Sequence, residues 1–156
     1  MTLSGKDKKQ YLKEVSNLVE GVEDLFHKKS NLKIYTGDNV SVLGIDGSVM
    51  FILTRNMTIP SIHLLRKYKS KMPKITVDVG AIRFVTNGAD IMRPGITDID
   101  DEVVEGGLVT IVEETKGSLL GIGKALYDRV DMSEMKSGKV VKNLHYLKDE
   151  YWSLRL

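Results

Sequence analysis

The 156-residue chain carries 23 Lys and Arg against 21 Asp and Glu, a formal net charge of +2, and it contains no cysteine. Disulfides and thiolate metal sites are therefore excluded, and no apolar run approaches the roughly 20 residues that a membrane helix needs. Residues 1–10 are polar and lysine-rich with no apolar stretch behind them, so no secretory signal is visible and a cytoplasmic protein without membrane contact is expected.

Tyr11, Leu12, Val15, Leu18, Val19, Val22, Leu25 and Phe26 recur at steps of three and four, which predicts one helix over residues 7–28 with a continuous apolar face. LKIYT, VSVLGI and VMFILT follow as β-branched and aliphatic runs. Asp46-Gly47 predicts a hairpin between the last two, because both residues tolerate positive φ. Pro60-Ser61 opens a shorter helix, about Ser61 to Tyr68, with Ser61 as its cap and Ile62, Leu64 and Leu65 turned to the core. A boundary near Met72-Pro73 divides the chain into domains 1–73 and 74–156, each small and thin-cored.

Charge is distributed unevenly across that boundary. Through Lys74 there are 13 Lys and Arg against 7 Asp and Glu, a balance of +6; from Ile75 onward it is 10 against 14, a balance of −4. The positive charge is densest in LRKYKSKMPK, where Arg66, Lys67, Lys69, Lys71 and Lys74 stand with no acid between them, joined at the start of the chain by Lys6, Lys8, Lys9 and Lys13. Such a run is either an electrostatic footprint for a phosphate backbone or a solvated lysine-rich connection. No lipidation motif accompanies it that would favour a membrane surface.

In the second half, Asp78 can cap a short helix whose Ala81, Ile82, Phe84 and Val85 share a side, and Asn87-Gly88 would end it. Pro94-Gly95 suits a tight turn. These glycines bracket a loop that can approach a flat or charged ligand, with Arg83 and Arg93 available for phosphate; the plainer reading is ordinary turns and solvated charges. ITVDV, ADIM, GLVTIVEE, SLLGIGKAL and LHYLKDEYW each suit a strand, with Gly106, Gly107, Gly117, Gly121 and Gly123 at bends or turns of a small barrel. Residues 131–139 form a helical turn or a loop. Alternation puts Tyr146 and Trp152 on one strand face with Tyr151 opposite, where Trp152 either seals the core or stacks on a base.

Sequences with a catalytic or cofactor signature fail on inspection. GIGKAL has Ser118 where a Walker loop needs its first glycine and Ala125 where it needs a hydroxyl, and Leu126 replaces the third glycine of a dinucleotide fingerprint. Asp98, Asp100, Asp101 and Glu102 lack the interior glycine and terminal glutamate of a calcium loop. His27, His63 and His145 are far apart, and there is no G-x-S-x-G elbow. No enzyme activity, metal or cofactor is expected.

ITVDVGAIRFVTNGADIMRPGI, followed by an acidic loop, GGLVTIVEE and LLGIGKAL, resembles a PUA domain. PSIHLLRKYKSKMP before it and NLHYLKDEYW after it resemble the malignant T-cell-amplified sequence family, in an archaeal-type form, whose pre-PUA and PUA pair also occurs in ligatin. The resemblance implies an α+β fold, an N-terminal α/β pre-PUA domain followed by a PUA β-pseudobarrel with a short flanking helix. It implies a non-catalytic protein that binds tRNA or rRNA and the small ribosomal subunit in translation initiation, reinitiation or recycling, with an initiation-factor-like partner protein. Carried onto this sequence, the RNA-contacting positions are Arg83, Asn87, Gly88, Ala89, Met92, Arg93, Pro94, Gly95, His145 and Tyr146, extended by Arg66, Lys67, Lys69 and Lys71. Negative charge on the second half implies weak, salt-sensitive binding by that half alone. The alternatives are a protein-interaction adaptor and an RNA-targeting accessory subunit for a separate modification enzyme.

Overall fold

Ser4 starts the first helix, its hydroxyl accepting from the Asp7 amide at 3.1 Å, and α1 runs over Gly5–Val15. The computed structural model describes residues 1–27 and 29–156, which divide into two units, Met1–Lys71 with Glu150–Leu156 and Met72–Asp149. The single helix expected over residues 7–28 is broken after Val15. Gly21 takes a φ of 76° and leads into a separate 3-10 turn, Val22–Phe26, while Val19 forms an isolated bridge with Ser70. Val15, Val19, Val22, Leu25 and Phe26 are all buried, so the apolar spacing marked core positions without marking one continuous helix. The expected end at Lys28 lies outside the described residues.

In the first unit β1 (Lys33–Thr36), β2 (Ser41–Ile45), β3 (Ser48–Leu53) and β4 (Thr58–Pro60) form an antiparallel four-stranded meander. Asp46 and Gly47, at φ 51° and 83°, make the expected turn between β2 and β3. β4 was not anticipated; a run of three residues is too short to show a period. Ser61 then accepts from the Leu64 amide at 3.1 Å and donates to the Val49 carbonyl at 2.7 Å, capping α2 (Ile62–Leu65) and fastening it to β3. Phe26 and Phe51 meet at 5.7 Å in a core completed by Leu32, Leu43, Met50 and Leu64.

The second unit begins with β5 (Lys74–Val77), then a 3-10 turn over Val79–Ala81 leading into α3 (Ile82–Val85). It continues through β6 (Ile91–Met92), a 3-10 turn at Arg93–Gly95, β7 (Ile96–Ile99), β8 (Leu108–Glu113), β9 (Leu119–Ala125), α4 (Arg129–Glu134) and β10 (Lys139–Tyr146). The strands form a nearly closed six-stranded pseudobarrel in the order β6-β10-β9-β8-β5-β7, with β5 and β8 parallel and every other pair antiparallel. Register shifts in the β6–β10, β9–β10, β5–β7 and β8–β9 ladders supply the curvature. Inside lie Ile75, Val77, Val109, Ile111, Val140 and Val141, all fully buried. Gly121 and Gly123 sit within strand β9, each beside a register shift, Gly121 in the ladder with β8 and Gly123 in the ladder with β10. A Cβ on Gly121 would lie 2.6 Å from the His145 carbonyl oxygen, and one on Gly123 would lie 2.6 Å from Val141 Cγ1, so both permit close approach to β10.

Glu113 closes the β8–β9 turn. Its carboxylate accepts from the Thr115 hydroxyl and from the amides of Ser118, Thr115 and Lys116 at 3.0, 2.8 and 2.7 Å. Led by the Thr115 hydroxyl, these donors lower its pKa to about 2.

After β10 the chain departs from expectation. Lys148 adopts a φ of 68°, and α5 (Glu150–Ser153) packs with the first unit, so Tyr146 and Trp152 do not share a strand face. Trp152 stacks on His63 at 4.0 Å with the Arg66 guanidinium 4.7 Å from its ring, and His63 Nε2 donates to the Trp152 carbonyl at 2.9 Å.

Candidate functional site

A groove of about 460 Å³ opens on the second unit between α3 and the loop that follows it, lined by Asp78, Gly80, Ala81, Phe84, Val85, Ala89, Asp90, Ile91, Met92, Pro94 and Gly95. Local chemistry builds it. Asp78 Oδ1 accepts from the Ala81 amide at 2.9 Å, while the Asp78 amide donates to the Gly95 carbonyl at 2.9 Å, so one residue starts the helical segment and ties it to the far turn. At the other end the Ala89 amide donates to the Phe84 carbonyl and the Gly88 amide to the Val85 carbonyl, each at 3.0 Å. This paired closure needs a left-handed residue, and Gly88 supplies it with a φ of 92°. Pro94 sits in the 3-10 turn that forms the opposite lip.

The groove is apolar and its mouth is bare. Phe84 is 55% exposed and Met92 is 50% exposed, so Phe84 does not share the environment of Val85, which is buried. A helix of four residues buries only the one side chain that faces the barrel, Val85. Asp78 and Asp90 bring the only formal charges to the groove lining, and Asp90 is tied back to β10: Oδ1 accepts from the Asn143 amide at 2.8 Å, and Oδ2 pairs with Lys139 at 3.4 Å. The lining therefore suits a flat, largely apolar group, with phosphate left to cations outside it.

The structure gathers Arg83, Asn87, Gly88, Ala89, Met92, Pro94 and Gly95 around this feature, and gives Arg93, His145 and Tyr146 structural contacts of their own. Arg83 is exposed on α3 with its guanidinium 4.8 Å from the Phe84 ring. Arg93 was expected to face phosphate. Its Nε donates to the Met132 carbonyl at 2.8 Å and its Nη1 to the Ile96 carbonyl at 3.2 Å, which commits the guanidinium to holding the loop against α4. His145 was expected on the contacting surface but is fully buried, with Nδ1 2.8 Å from Asp149 Oδ2, and cannot touch a ligand. Tyr146 is half-buried with its ring beneath Gly88.

Arg66, Lys67, Lys69 and Lys71 belong to the first unit and are exposed there, Arg66 over Trp152 and Lys71 donating to the Ser16 carbonyl at 2.9 Å. Lys8, counted with the basic start of the chain, is only 3% exposed and donates to the carbonyls of His27 and Ser30 at 3.1 and 3.2 Å, which removes it from the charged surface. Sequence reading missed Phe84 as a surface residue, and it missed Asp78, Asp90 and Ile91 as groove lining. Only the cap at Asp78 carried a signal. Among the described residues no group of three or more His, Asp or Glu could hold a metal ion, and no helix is long and apolar enough to cross a membrane.

Residues 73–147, almost the whole second unit, match the PUA domain family. Translation machinery-associated protein 20 of Saccharomyces cerevisiae is 31% identical, over 97% of this chain and 86% of the yeast protein. Malignant T-cell-amplified sequence 1 of Danio rerio is 30% identical, over 95% of this chain and 84% of the fish protein. The crystal structure of a hypothetical protein from the archaeon Pyrococcus horikoshii has a TM-score of 0.79 at 32% identity, covering 96% of this chain and 95% of that one. Matched along nearly its whole length and carrying a PUA domain in its second unit, the chain belongs to the family of malignant T-cell-amplified sequence proteins and translation machinery-associated protein 20.

Proposed function

We propose that this is a cytoplasmic RNA-binding protein of the translation machinery, acting without chemistry of its own. The observation that carries the reading is the bare apolar groove between the Gly88 and Pro94-Gly95 turns, with Arg83 exposed beside it. A base packed in a duplex presents no face to such a groove, whereas an unpaired base can leave water against Phe84 and Met92 while Arg83 meets the neighbouring phosphate. Asn87, Ala89 and the backbone at Gly88 and Gly95 complete the contacting surface, and Tyr146 supports it from below. Arg66, Lys67 and Lys69 add attraction for the polynucleotide backbone that the acidic second unit lacks.

The name of the yeast relative supports a place in translation. The finer reading is that the RNA is tRNA or rRNA on the small ribosomal subunit, in initiation, reinitiation or recycling, with an initiation-factor-like partner protein. Titration of the full chain with a labelled tRNA transcript at rising salt tests the binding. Weak affinity that declines with salt is expected, and it falls further when Phe84→Ser and Met92→Ser are combined. Absence of binding at low salt, or indifference to both salt and the double substitution, overturns the reading.

A further inference from the structure

Asn143 does not line the groove, yet it holds one entire lip of it. Its amide nitrogen donates to the Val85 carbonyl at 3.1 Å and to the Ala89 carbonyl at 3.0 Å, joining the last residue of α3 to the far side of the turn. Its backbone amide donates to Asp90 Oδ1 at 2.8 Å, and Lys139 on the same strand holds the other carboxylate oxygen at 3.4 Å. The connection over residues 86–90 thus hangs from β10, at the place where the β9–β10 ladder shifts register between Asn143 and His145.

Packing does not explain an asparagine here. Its Oδ1 is buried with no hydrogen-bond partner, which costs stability that a leucine of similar size would not incur. The two side-chain donors are what a leucine would lack. Both go to carbonyls of the groove lip, and holding that lip before a ligand arrives spares the ordering cost on binding.

We infer that Asn143 is a positioning residue for RNA binding: without touching the polynucleotide, it keeps the groove open at the width that admits an unpaired base. The inference rests on the reading of the groove as the RNA site. It deepens that reading by assigning the site's geometry to β10.

The test uses the full chain and a fluorescein-labelled tRNA transcript, titrated across a salt series, with amide hydrogen exchange followed at residues 86–90. If the competent lip is populated about a tenth of the time in Asn143→Leu, affinity falls roughly tenfold. Exchange at 86–90 accelerates more than exchange on the barrel strands, and the slope of log affinity against log salt is unchanged because no phosphate contact is lost. Arg83→Ala, measured alongside, loses affinity and also loses about one unit of that slope, as removal of a phosphate contact requires. Wild-type affinity in Asn143→Leu despite faster exchange overturns the inference. So does a slope that falls with the affinity, since Asn143 would then touch RNA directly. Wild-type binding by both Arg83→Ala and the combined Phe84→Ser and Met92→Ser variant overturns the RNA reading and this inference with it. Should Asn143→Leu fail to fold, Asn143→Ala, which removes the same two donors with a smaller side chain, is judged by the same criteria.

Discussion

Gly88 rests on the ring of Tyr146: a Cβ built at Gly88 would lie 3.1 Å from both Cε1 and the hydroxyl oxygen of the tyrosine. The same glycine holds a φ of 92°, so it meets two independent demands, one from the turn and one from the strand beneath. Gly88→Ala is expected to cost about 1–3 kcal/mol, measured by urea denaturation, and to weaken RNA binding. Adding Tyr146→Leu relieves the clash but not the φ, so the double variant recovers only part of the loss. Full recovery would show that the backbone conformation costs nothing.

The two arginines near the groove separate into different roles. Arg83→Ala is expected to lower RNA affinity and leave the melting temperature nearly unchanged, since its guanidinium lies on the exposed Phe84 ring. Arg93→Ala deprives the Met132 and Ile96 carbonyls of their donor and should cost about 1–3 kcal/mol of stability. Paired measurements of melting and tRNA titration check both. An Arg93→Ala variant that melts like the wild type while losing RNA would reverse the assignment.

Glu113 predicts a pH dependence with a definite sign. Its pKa in the folded chain is lowered to about 2. In the unfolded chain the value is about 4.3. The carboxylate's contribution to stability is therefore complete above the unfolded value and is lost as pH falls through the interval towards the folded one. Glu113→Gln places an amide where three backbone amides and a hydroxyl donate. It should be less stable than the wild type at pH 7, by a margin that narrows steadily as the pH is taken down to about 2. Urea midpoints at pH 7, 4 and 2.5 measure that margin, and a constant margin contradicts the mechanism.

Trp152 anchors the C-terminal segment to the first unit through its stack on His63 and its contact with Arg66. Trp152→Ala is expected to destabilise that unit by roughly 1–3 kcal/mol, the range for a half-buried aromatic with a cation neighbour. Hydrogen exchange on β2 and β3 should accelerate, because α5 packs against β3. Unaltered exchange there would mean the segment is an ornament on the surface.

Much of the groove was legible because its determinants are separated by a few residues. Asp78 caps the amide three positions on, and Gly88 closes the helix whose carbonyls lie just before it. Asp46-Gly47 and Ser61 were equally readable, each acting through its immediate neighbours. The core positions of the first helical region were right even where the helix was not: burial follows apolar spacing, while continuity depended on Gly21 and on a bridge from Val19 to Ser70.

The side chains that fall outside such short spans were decided by the tertiary structure. His145 is sealed inside with Asp149 as its partner, and Tyr146 lies under Gly88, contacts made with residues from a later turn and from a distant loop. Arg93 is committed to carbonyls on α4, and Trp152 leaves the barrel strand for the first unit after the left-handed turn at Lys148. Sequence by itself determined where helices start, where turns close and which residues are apolar enough to be buried, since these are settled by neighbours along the chain. Which arginine reaches solvent, which aromatic is left exposed and which asparagine ties the turn to β10 depend on partners tens of residues away, and only the folded packing brings those partners together.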